Sequence, residues 1–571
     1  MIAVLAVATL LLGWMGFWRY GLSEAMGWSA ADTLYRALQL FTLESGPVQP
    51  PVPPALQAAR FAAPLVAAAG AIAAVFALFA ERLSLFLLRR THDHIVICGL
   101  GRKGLLLARA FDAAGETVVG VDRDPDAEGV SSVRLLGIPF VVGDARDRSL
   151  LEGVGQRRAA RIIAVTGDDM TNVEIVRKAA ERRQAGRREL SFAHVGTGDL
   201  FDLLRAQPSP DASEIDLFNI YEHGAWSLLT ELPPFMNVPG AEPPLLAHMA
   251  VLGAGQMGIR LTIQLARTWS AFNEVPDQRL RIVLVDVEAT KRKDFLLAQY
   301  PQIDRVCDLE CRDMDVRSQA FGRGAILVEE GIEPPAVVYV CFDNDELGVA
   351  AALAIRLHSG LDGRTQIVVI VEDEAGARSV LLPGSAKDQA AADGGPEASG
   401  DKPAIVPFSL LVRTCTHELL VNQWQELVAR AISNHYEWHL GRERRPWRKL
   451  SPDDQDKNRD AAAYVPMLLE AIGCEMAHPG DWGDQVRELS DGETETIAPL
   501  EHQRYKEWME ARQWTYARAP KNAERKTNPS LVPWADLDEH SRVFTRSQIE
   551  LLPAALAQAG YVIVPKQRLP G

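Results

Sequence analysis

Three glycines at a fixed interval, Gly99, Gly101 and Gly104, carry the clearest chemistry in this 571-residue chain. They allow a tight turn and bring a pyrophosphate close to the N-terminus of the helix that follows. Asp122 ends the next apolar run, near the offset of about 20 residues at which a carboxylate accepts a hydrogen bond from a ribose hydroxyl. The spacing recurs at Gly253, Gly255 and Gly258, followed by Asp286. Extra residues around Ser270–Gln278 carry that acid further from its glycines, so the second copy is either a second ligand site or a degenerate, structural one. Near the C-terminus Arg504, Trp508, Trp514, Tyr516, Lys526 and Trp534 put aromatic faces beside cations. Such a set suits a base plus a phosphate, and equally the core of a small helical domain. His435 and His439 stand four apart and could share a metal on one helical face, but no third ligand accompanies them. Cys98, Cys307, Cys311, Cys341, Cys415 and Cys474 are scattered and read as buried free thiols in a reducing compartment. No metal site is expected, and no nucleophile–base pair marks an enzyme.

A glycine triplet means little without the elements that hold it. Strand-like runs at His94–Cys98, Thr117–Asp122, Pro139–Val142, Arg161–Ala164, Leu190–Val195 and Ile215–Tyr221 alternate with helical stretches, the pattern of a parallel, doubly wound Rossmann sheet. Arg281–Asp286 and Val337–Cys341 start a second such sheet, with Asp343-Asn344-Asp345 echoing Gly167-Asp168-Asp169. Gly384–Asp401 is rich in Ala, Gly, Asp, Lys and Ser, and reads as a mobile insertion ahead of a last strand at Ile405.

A net charge of −15 argues against nucleic-acid binding. Met1–Trp18 and Phe61–Ala80 are apolar and long enough to cross a bilayer, with Trp14 and Trp18 at an interface. Arg82, Arg89 and Arg90 place the rest of the chain, and with two spans both termini, on the cytoplasmic side of an inner (plasma) membrane. Ala67, Gly70, Ala71 and Ala74 would let the two helices approach closely. Between them Ser29-Ala-Ala-Asp32 is a capping box, followed by Leu34, Tyr35, Leu38 and Phe41 at helical spacing, Leu40–Gly46 and a proline-rich loop. The second span runs almost directly into the first glycine turn, a connection short enough to transmit movement.

Helix, helix with loop, helix resembles the two-span potassium-channel family, and in that family Thr42 would end the pore helix. The family's Thr-Val-Gly-Tyr-Gly filter is absent, and Glu44 is the acidic side chain near its place. By that resemblance four chains would enclose a pore. Val141-Val-Gly-Asp-Ala145 and Ala164–Asn172 resemble the RCK (TrkA-N) family, Rossmann domains that bind nucleotides and gate channels, over Asp93–Leu232. That resemblance implies that Gly99, Gly101, Gly104 and Asp122 hold NAD(H) or an adenine nucleotide (ATP or ADP) as a regulatory ligand. Asp144 and Thr166 would line the pocket edge, while a turn or cap role for Asp144 and Asp168 is the alternative. Gly253, Gly255, Gly258 and Asp286 are their counterparts in a tandem RCK domain. Leu500–Val564 resembles the RyR repeat of ryanodine receptors, with Asn528 where a histidine is common and a divergent partner repeat ahead of it.

The expected plan is multi-domain: a two-helix transmembrane unit (1–90), two α/β doubly wound domains (91–245, and 246–425 with the insertion 384–403), and a mainly α RyR-like domain (426–571, second half 497–567). The function it implies is a homotetrameric, nucleotide-gated ion channel, with antiviral defence as a hypothesised setting. The alternatives are a non-conducting membrane-anchored nucleotide sensor and a membrane-tethered NAD-dependent oxidoreductase, against which stands the lack of a substrate domain.

Overall fold

The computed structural model describes residues 2–44, 48–88, 91–181, 191–207, 215–235, 248–272, 278–322, 327–328, 331–361, 363–372, 374–381, 402–439, 445–477, 486 and 488–566. The chain divides into two compact units, Met1–His92 with Asp147–Arg158, and Asp93–Arg146 with Ala159–Gly571.

The first unit holds three helices, α1 (Ile2–Ser23), α2 (Ala30–Gln39) and α3 (Pro54–Leu88), and the short helix Arg148–Gly153. Segments of α1 and α3 are long and apolar enough to cross a membrane, at Val4–Ser23 and Pro54–Ala73; the expected span Phe61–Ala80 lies within α3, and all of Met1–Trp18 but Met1 within α1. The seam between them is tight at the start of α3. A Cβ on Gly16 would lie 2.7 Å from the Leu56 backbone, and one on Gly13 3.5 Å from Ala59 Cβ. Close approach therefore comes from glycines of α1 meeting the start of α3, where Leu56, Ala59 and Ala63 are buried with Phe17 and Tyr20. The Ser29–Asp32 capping box forms as expected (2.9 and 3.2 Å). Trp14 Nε1 donates to Thr33 Oγ1 (3.1 Å), tying α1 to α2. Leu40–Thr42 is a single 3₁₀ turn and Leu43 takes a left-handed φ of 68°. Thr42 Oγ1 donates back to Gln39 O (2.9 Å), and Gln39 Nε2 to Glu44 (3.4 Å). Ser45–Pro47 and Arg89–Arg90 lie outside the described residues. Outward-facing Val4, Val7, Leu11, Phe61, Leu65 and Ile72 are exposed, an apolar perimeter rather than a water-facing one.

The second unit contains two six-stranded parallel sheets. The first orders β3-β2-β1-β4-β5-β6, from β1 (Ile95–Cys98), β2 (Val118–Asp122), β3 (Phe140–Val142), β4 (Arg161–Ala164), β5 (Ser191–His194) and β6 (Ile215–Phe218). The second repeats it as β9-β8-β7-β10-β11-β12, from β7 (His248–Leu252), β8 (Leu280–Asp286), β9 (Cys307–Asp313), β10 (Val337–Val340), β11 (Gln366–Val371) and β12 (Ala404–Ser409). Central strands such as Ile-Val-Ile-Cys are buried on both faces, as a parallel sheet covered by helices requires. The strand expected at Ile215–Tyr221 stops at Phe218, because Asn219 accepts hydrogen bonds from Tyr221 N (2.8 Å) and Glu222 N (3.0 Å) and starts a helix. The extra residues of the second copy lengthen its first helix, Gln256–Phe272 against Arg102–Ala113. Residues 382–401, nearly the whole expected insertion, lie outside the described residues, and β12 follows them as anticipated.

The two sheets share one core, with Phe192 and Leu228 of the first copy in the same cluster as Leu261, Trp269 and Phe408 of the second. Trp226 Nε1 donates to Gln264 Oε1 (2.8 Å) across the join. Gly224 is needed there, since a Cβ would stand 2.1 Å from Leu410 Cδ1.

Beyond β12 a single helix runs His417–His439, so the division expected at 425/426 falls inside it and the helix expected from Glu426 starts nine positions earlier. Around it pack the helices Pro452–Ala471, Asp491–Ala511, Glu539–Glu550 and Leu552–Gln558. The strands β13 (Cys474–Ala477), β14 (Thr515–Tyr516), β15 (Thr527–Asn528) and β16 (Val562–Pro565) pair as β13 with β16, antiparallel, and β14 with β15. Two related halves are visible: Pro-Trp, a 3₁₀ turn, Leu, a capping Ser or Asp and a helix recur at Pro446 and Pro533. The left-handed glycines Gly473 and Gly560 precede β13 and β16 at the same offset of 87 positions. The last long helix pair therefore begins at Ser490, ahead of the expected 497.

Candidate functional site

The turn between β1 and the helix Arg102–Ala113 is built by glycines with different duties. Gly99 has φ of 99°, and its Cβ would stand 2.8 Å from Thr166 N. A Cβ on Gly104 would sit 1.8 Å from Gly99 O, so the helix can pack on the turn only without one. Gly101 is different: a Cβ there would meet nothing within 4 Å, and its φ of −68° suits any residue. The protein itself does not need a glycine at 101. That residue caps the helix without a side-chain acceptor, so the first amide donors point into open space.

That space is a cleft of about 860 Å³ at the switch point of the sheet, and all the expected first-copy residues but Gly104 line it. Gly104 lies behind the turn and shapes it. Asp122 ends β2 and is already engaged: Oδ2 accepts from Leu100 N (2.5 Å) and Oδ1 from Asp124 N (2.9 Å). A carboxylate has lone pairs left for a further donor. Asp144 accepts from Arg146 Nη2 (2.7 Å) and Nε (3.1 Å), and these hydrogen bonds pull its pKa down to about 2. Thr166 N and Oγ1 both donate to Asn172 Oδ1 (2.8 and 2.7 Å). Asp168 caps the helix Asp169–Ala180 through Thr171 N (2.7 Å). Asp144 and Asp168 thus perform the turn and cap duties weighed for them while also lining the cleft.

Arg102, Lys103, Arg123 and Arg146 bring positive charge to the same walls. Lys103 Nζ lies 3.3 Å from His194 Nδ1; burial lowers the lysine's pKa, and burial together with Lys103 takes His194 down to about 3. The histidine is neutral at neutral pH and the lysine is left to face the cleft. Tyr221, Glu372 and Leu411 complete the lining, the last two from the second sheet's domain. Arg102 and Lys103 stand inside the glycine motif and Arg123 and Arg146 just after Asp122 and Asp144, whereas Glu372 and Leu411 lie so far along the chain that no local pattern could reveal them.

The second copy repeats the construction. Gly253 has φ of 95°, a Cβ on Gly258 would be 1.8 Å from Gly253 O, and Asp286 Oδ2 accepts from Ala254 N (2.8 Å). Asp286 therefore reaches its expected place despite the longer spacing. The surroundings differ: Gln256 and Met257 stand where the first copy has Arg102 and Lys103, and where it has Gly167 the second has Asp343, whose carboxylate is the nearest group to the open side of Gly255 (3.8 Å from a Cβ there). That acid opposes a phosphate at the second turn.

The six C-terminal residues expected to share a pocket are not brought together. A cleft of about 350 Å³ does exist there, and Arg504 lines it, but the other five do not. Arg504 is held by Glu501 (2.6 and 2.7 Å) and by Asp460, so both ends of its guanidinium are spoken for. Trp508 lies under the Arg512 guanidinium (4.0 Å) and Trp514 near Lys521 (5.3 Å). Tyr516 is exposed on β14, Lys526 Nζ donates to Arg512 O (3.2 Å), and Trp534 packs on His502 (5.7 Å between rings). The tryptophans pack helix ends, which helical spacing alone does not distinguish from a stacking pocket. The cleft is lined instead by residues including Tyr436, Lys457, Tyr505, Lys521 and Asn528, and Asn528 Nδ2 donates to Tyr505 Oη (3.3 Å). His435 is buried, and no metal-binding group of three or more ligands occurs among the described residues.

Residues 95–192 match the TrkA-N domain family. The Trk system potassium uptake protein TrkA of Streptomyces coelicolor is 39% identical over 92 residues, 15% of this chain and 39% of that protein. The glutathione-regulated potassium-efflux protein KefC of Enterobacter sp. (strain 638) is 32% identical over 87 residues, 15% of this chain and 14% of that protein. The chain thus spans about two fifths and one seventh of the length of these relatives. Among solved structures, GsuK bound to ADP is similar over 74% of this chain and 97% of that chain (18% identity, TM-score 0.37). The GsuK channel bound to NAD is similar over 75% and 84% (16%, 0.37). Scores at that level are too loose to carry an argument.

Proposed function

We propose that this chain is a membrane ion-transport protein, a channel in its simplest form, regulated by a nucleotide held in the first Rossmann cleft. The observation that carries the proposal is Gly101: a residue with no steric need to be glycine, facing a large cleft at a helix N-terminus among four cations. NAD(H) or an adenine nucleotide would place its pyrophosphate at Gly99, Gly101 and the following amides, its ribose at Asp122, and would border Asp144 and Thr166. Gly253, Gly255, Gly258 and Asp286 hold the same geometry, but Asp343 makes theirs the weaker site. The TrkA-N match over the cleft, and relatives named for potassium uptake and efflux, favour potassium or a similar cation as the transported species. Segments of α1 and α3 would span the membrane, with Thr42 and Glu44 beside the ion path and four chains around it. The C-terminal region would serve as a second sensor.

Reconstitution in liposomes tests this: cation flux should change on adding NAD, NADH, ADP or ATP, and the change should vanish when Gly101 is replaced by valine. Flux indifferent to all four ligands refutes regulation at this cleft. A second reading, a non-conducting membrane sensor, draws support from the sequence after Thr42, where the Thr-Val-Gly-Tyr-Gly filter is absent. Ligand binding with no flux in any condition would decide for it.

A further inference from the structure

The two Rossmann copies touch each other's ligand turns reciprocally. The residue after the middle glycine is Arg102 in the first copy and Gln256 in the second. Arg102 forms an ion pair with Glu372, just beyond β11 of the second copy, and another with Glu128 (3.1 Å) of its own. Gln256 Oε1 accepts from Gly198 N (3.0 Å), the first residue of the helix that follows the loop beyond β5 of the first. Each of those loops is pinned by an acid at the start of a helix of its own domain. Asp345 accepts from Glu372 N through both oxygens (3.0 Å each), and Asp169 accepts from Gly196 N (2.8 Å) and Thr197 N (2.9 Å). The exchange is asymmetric in charge. In one direction a neutral amide meets a neutral amide group; in the other a carboxylate is set into the wall of the first cleft, on the cation nearest the turn.

We propose that Glu372 sets the charge selectivity of the first cleft: it holds Arg102 while the cleft is empty and competes for that guanidinium with an arriving phosphate. Asp345 fixes the backbone of Glu372 at the rim, so the carboxylate stays within reach of the cleft when a ligand enters. A polyphosphate with a highly charged end meets both that carboxylate and a pre-occupied arginine. A dinucleotide, whose pyrophosphate is flanked by ester oxygens and carries less charge, meets the same groups at lower cost. The first cleft therefore prefers NAD-type dinucleotides over ATP, and the preference is written in a residue of the other domain. The inference rests on the nucleotide reading above and refines it.

The test uses the full chain in detergent, with NAD, ADP and ATP titrated calorimetrically against wild type and Glu372→Gln, an isosteric change that leaves the Asp345 contact to the backbone intact. Both partners are about half exposed, so the gain on removing the charge is that of a surface pair, about fivefold for ATP and under about twofold for NAD, with ADP between. In wild type, raising the salt concentration should narrow the gap between NAD and ATP by screening the carboxylate. This second measurement stands even if the variant folds poorly. An equal shift for all three ligands, or a wild-type preference that salt does not change, overturns the role of Glu372 alone. Failure of all three to bind either protein overturns the nucleotide reading as well.

Discussion

Two glycines three positions apart should respond to substitution in opposite ways. Gly104→Ala places a Cβ 1.8 Å from Gly99 O, a backbone atom with no freedom to turn aside, whereas an ordinary contact needs more than 3.4 Å. The helix Arg102–Ala113 would have to move off β1 by over an ångström, an overpacking cost of about 3 kcal/mol. A Cβ at Gly101 meets nothing within 4 Å and the φ there is an allowed one, so Gly101→Val should change stability by no more than about 0.5 kcal/mol. Its two methyls instead fill the space in front of the helix amides, and nucleotide affinity should fall about a hundredfold, near 3 kcal/mol. Thermal unfolding with and without NAD separates the two effects. At 100 times Kd the ligand adds about 2.7 kcal/mol to the wild type. Gly101→Val should match the wild type without NAD and gain almost nothing from it, while Gly104→Ala should unfold early in both conditions. Wild-type NAD stabilisation in Gly101→Val would refute the assignment of the turn to a ligand. A Gly104→Ala protein as stable as wild type would refute the packing argument.

Three further outcomes are expected. Buried Glu426 pairs with buried Arg430 (3.3 Å) and half-buried Arg459 (2.7 Å) and accepts from Trp447 Nε1 (3.0 Å), so Glu426→Ala strands the Arg430 cation and should cost about 3 kcal/mol in denaturant unfolding. Burial holds His194, His223 and His435 neutral, with pKa values down to about 3, 3 and 4. The unfolded chain therefore binds more protons, and stability falls as pH drops through 6.5. At pH 5.5 each histidine removes about 1.4 kcal/mol, about 4 kcal/mol together, and urea midpoints at pH 7.5 and 5.5 measure it. Under the channel reading, Glu44→Gln should lower cation flux in liposomes severalfold, and unchanged flux would take Glu44 out of the ion path.

The Rossmann architecture was legible because its signal is local: short apolar runs, glycines whose absent side chains the turn demands, and an acid at each second strand's end. The first cleft was legible as far as those residues reach, and Asp286 found its place even with extra residues before it. What escaped notice was what the repeat does to itself. Glu372 and Leu411 enter the cleft through the packing of one copy on the other, which no spacing encodes. The C-terminal aromatics misled for a physical reason, since tryptophan beside arginine stacks as readily to close a helix end as to hold a base.

The unbroken run from His417 to His439 gives the molecule a crankshaft. Its first turns lie beside the helix behind the ligand turn, where the His417 and Phe111 rings are 4.9 Å apart, and its last turns carry His435 and Tyr436 into the wall of the C-terminal cleft. No swivel separates the two ends, so the C-terminal region is no pendant that could be cut off or exchanged at residue 425. Removing it there would sever a helix halfway and bare the apolar stripe of Leu427, Val428 and Ala431. Whatever fills the far cleft leans on the same shaft as whatever fills the near one.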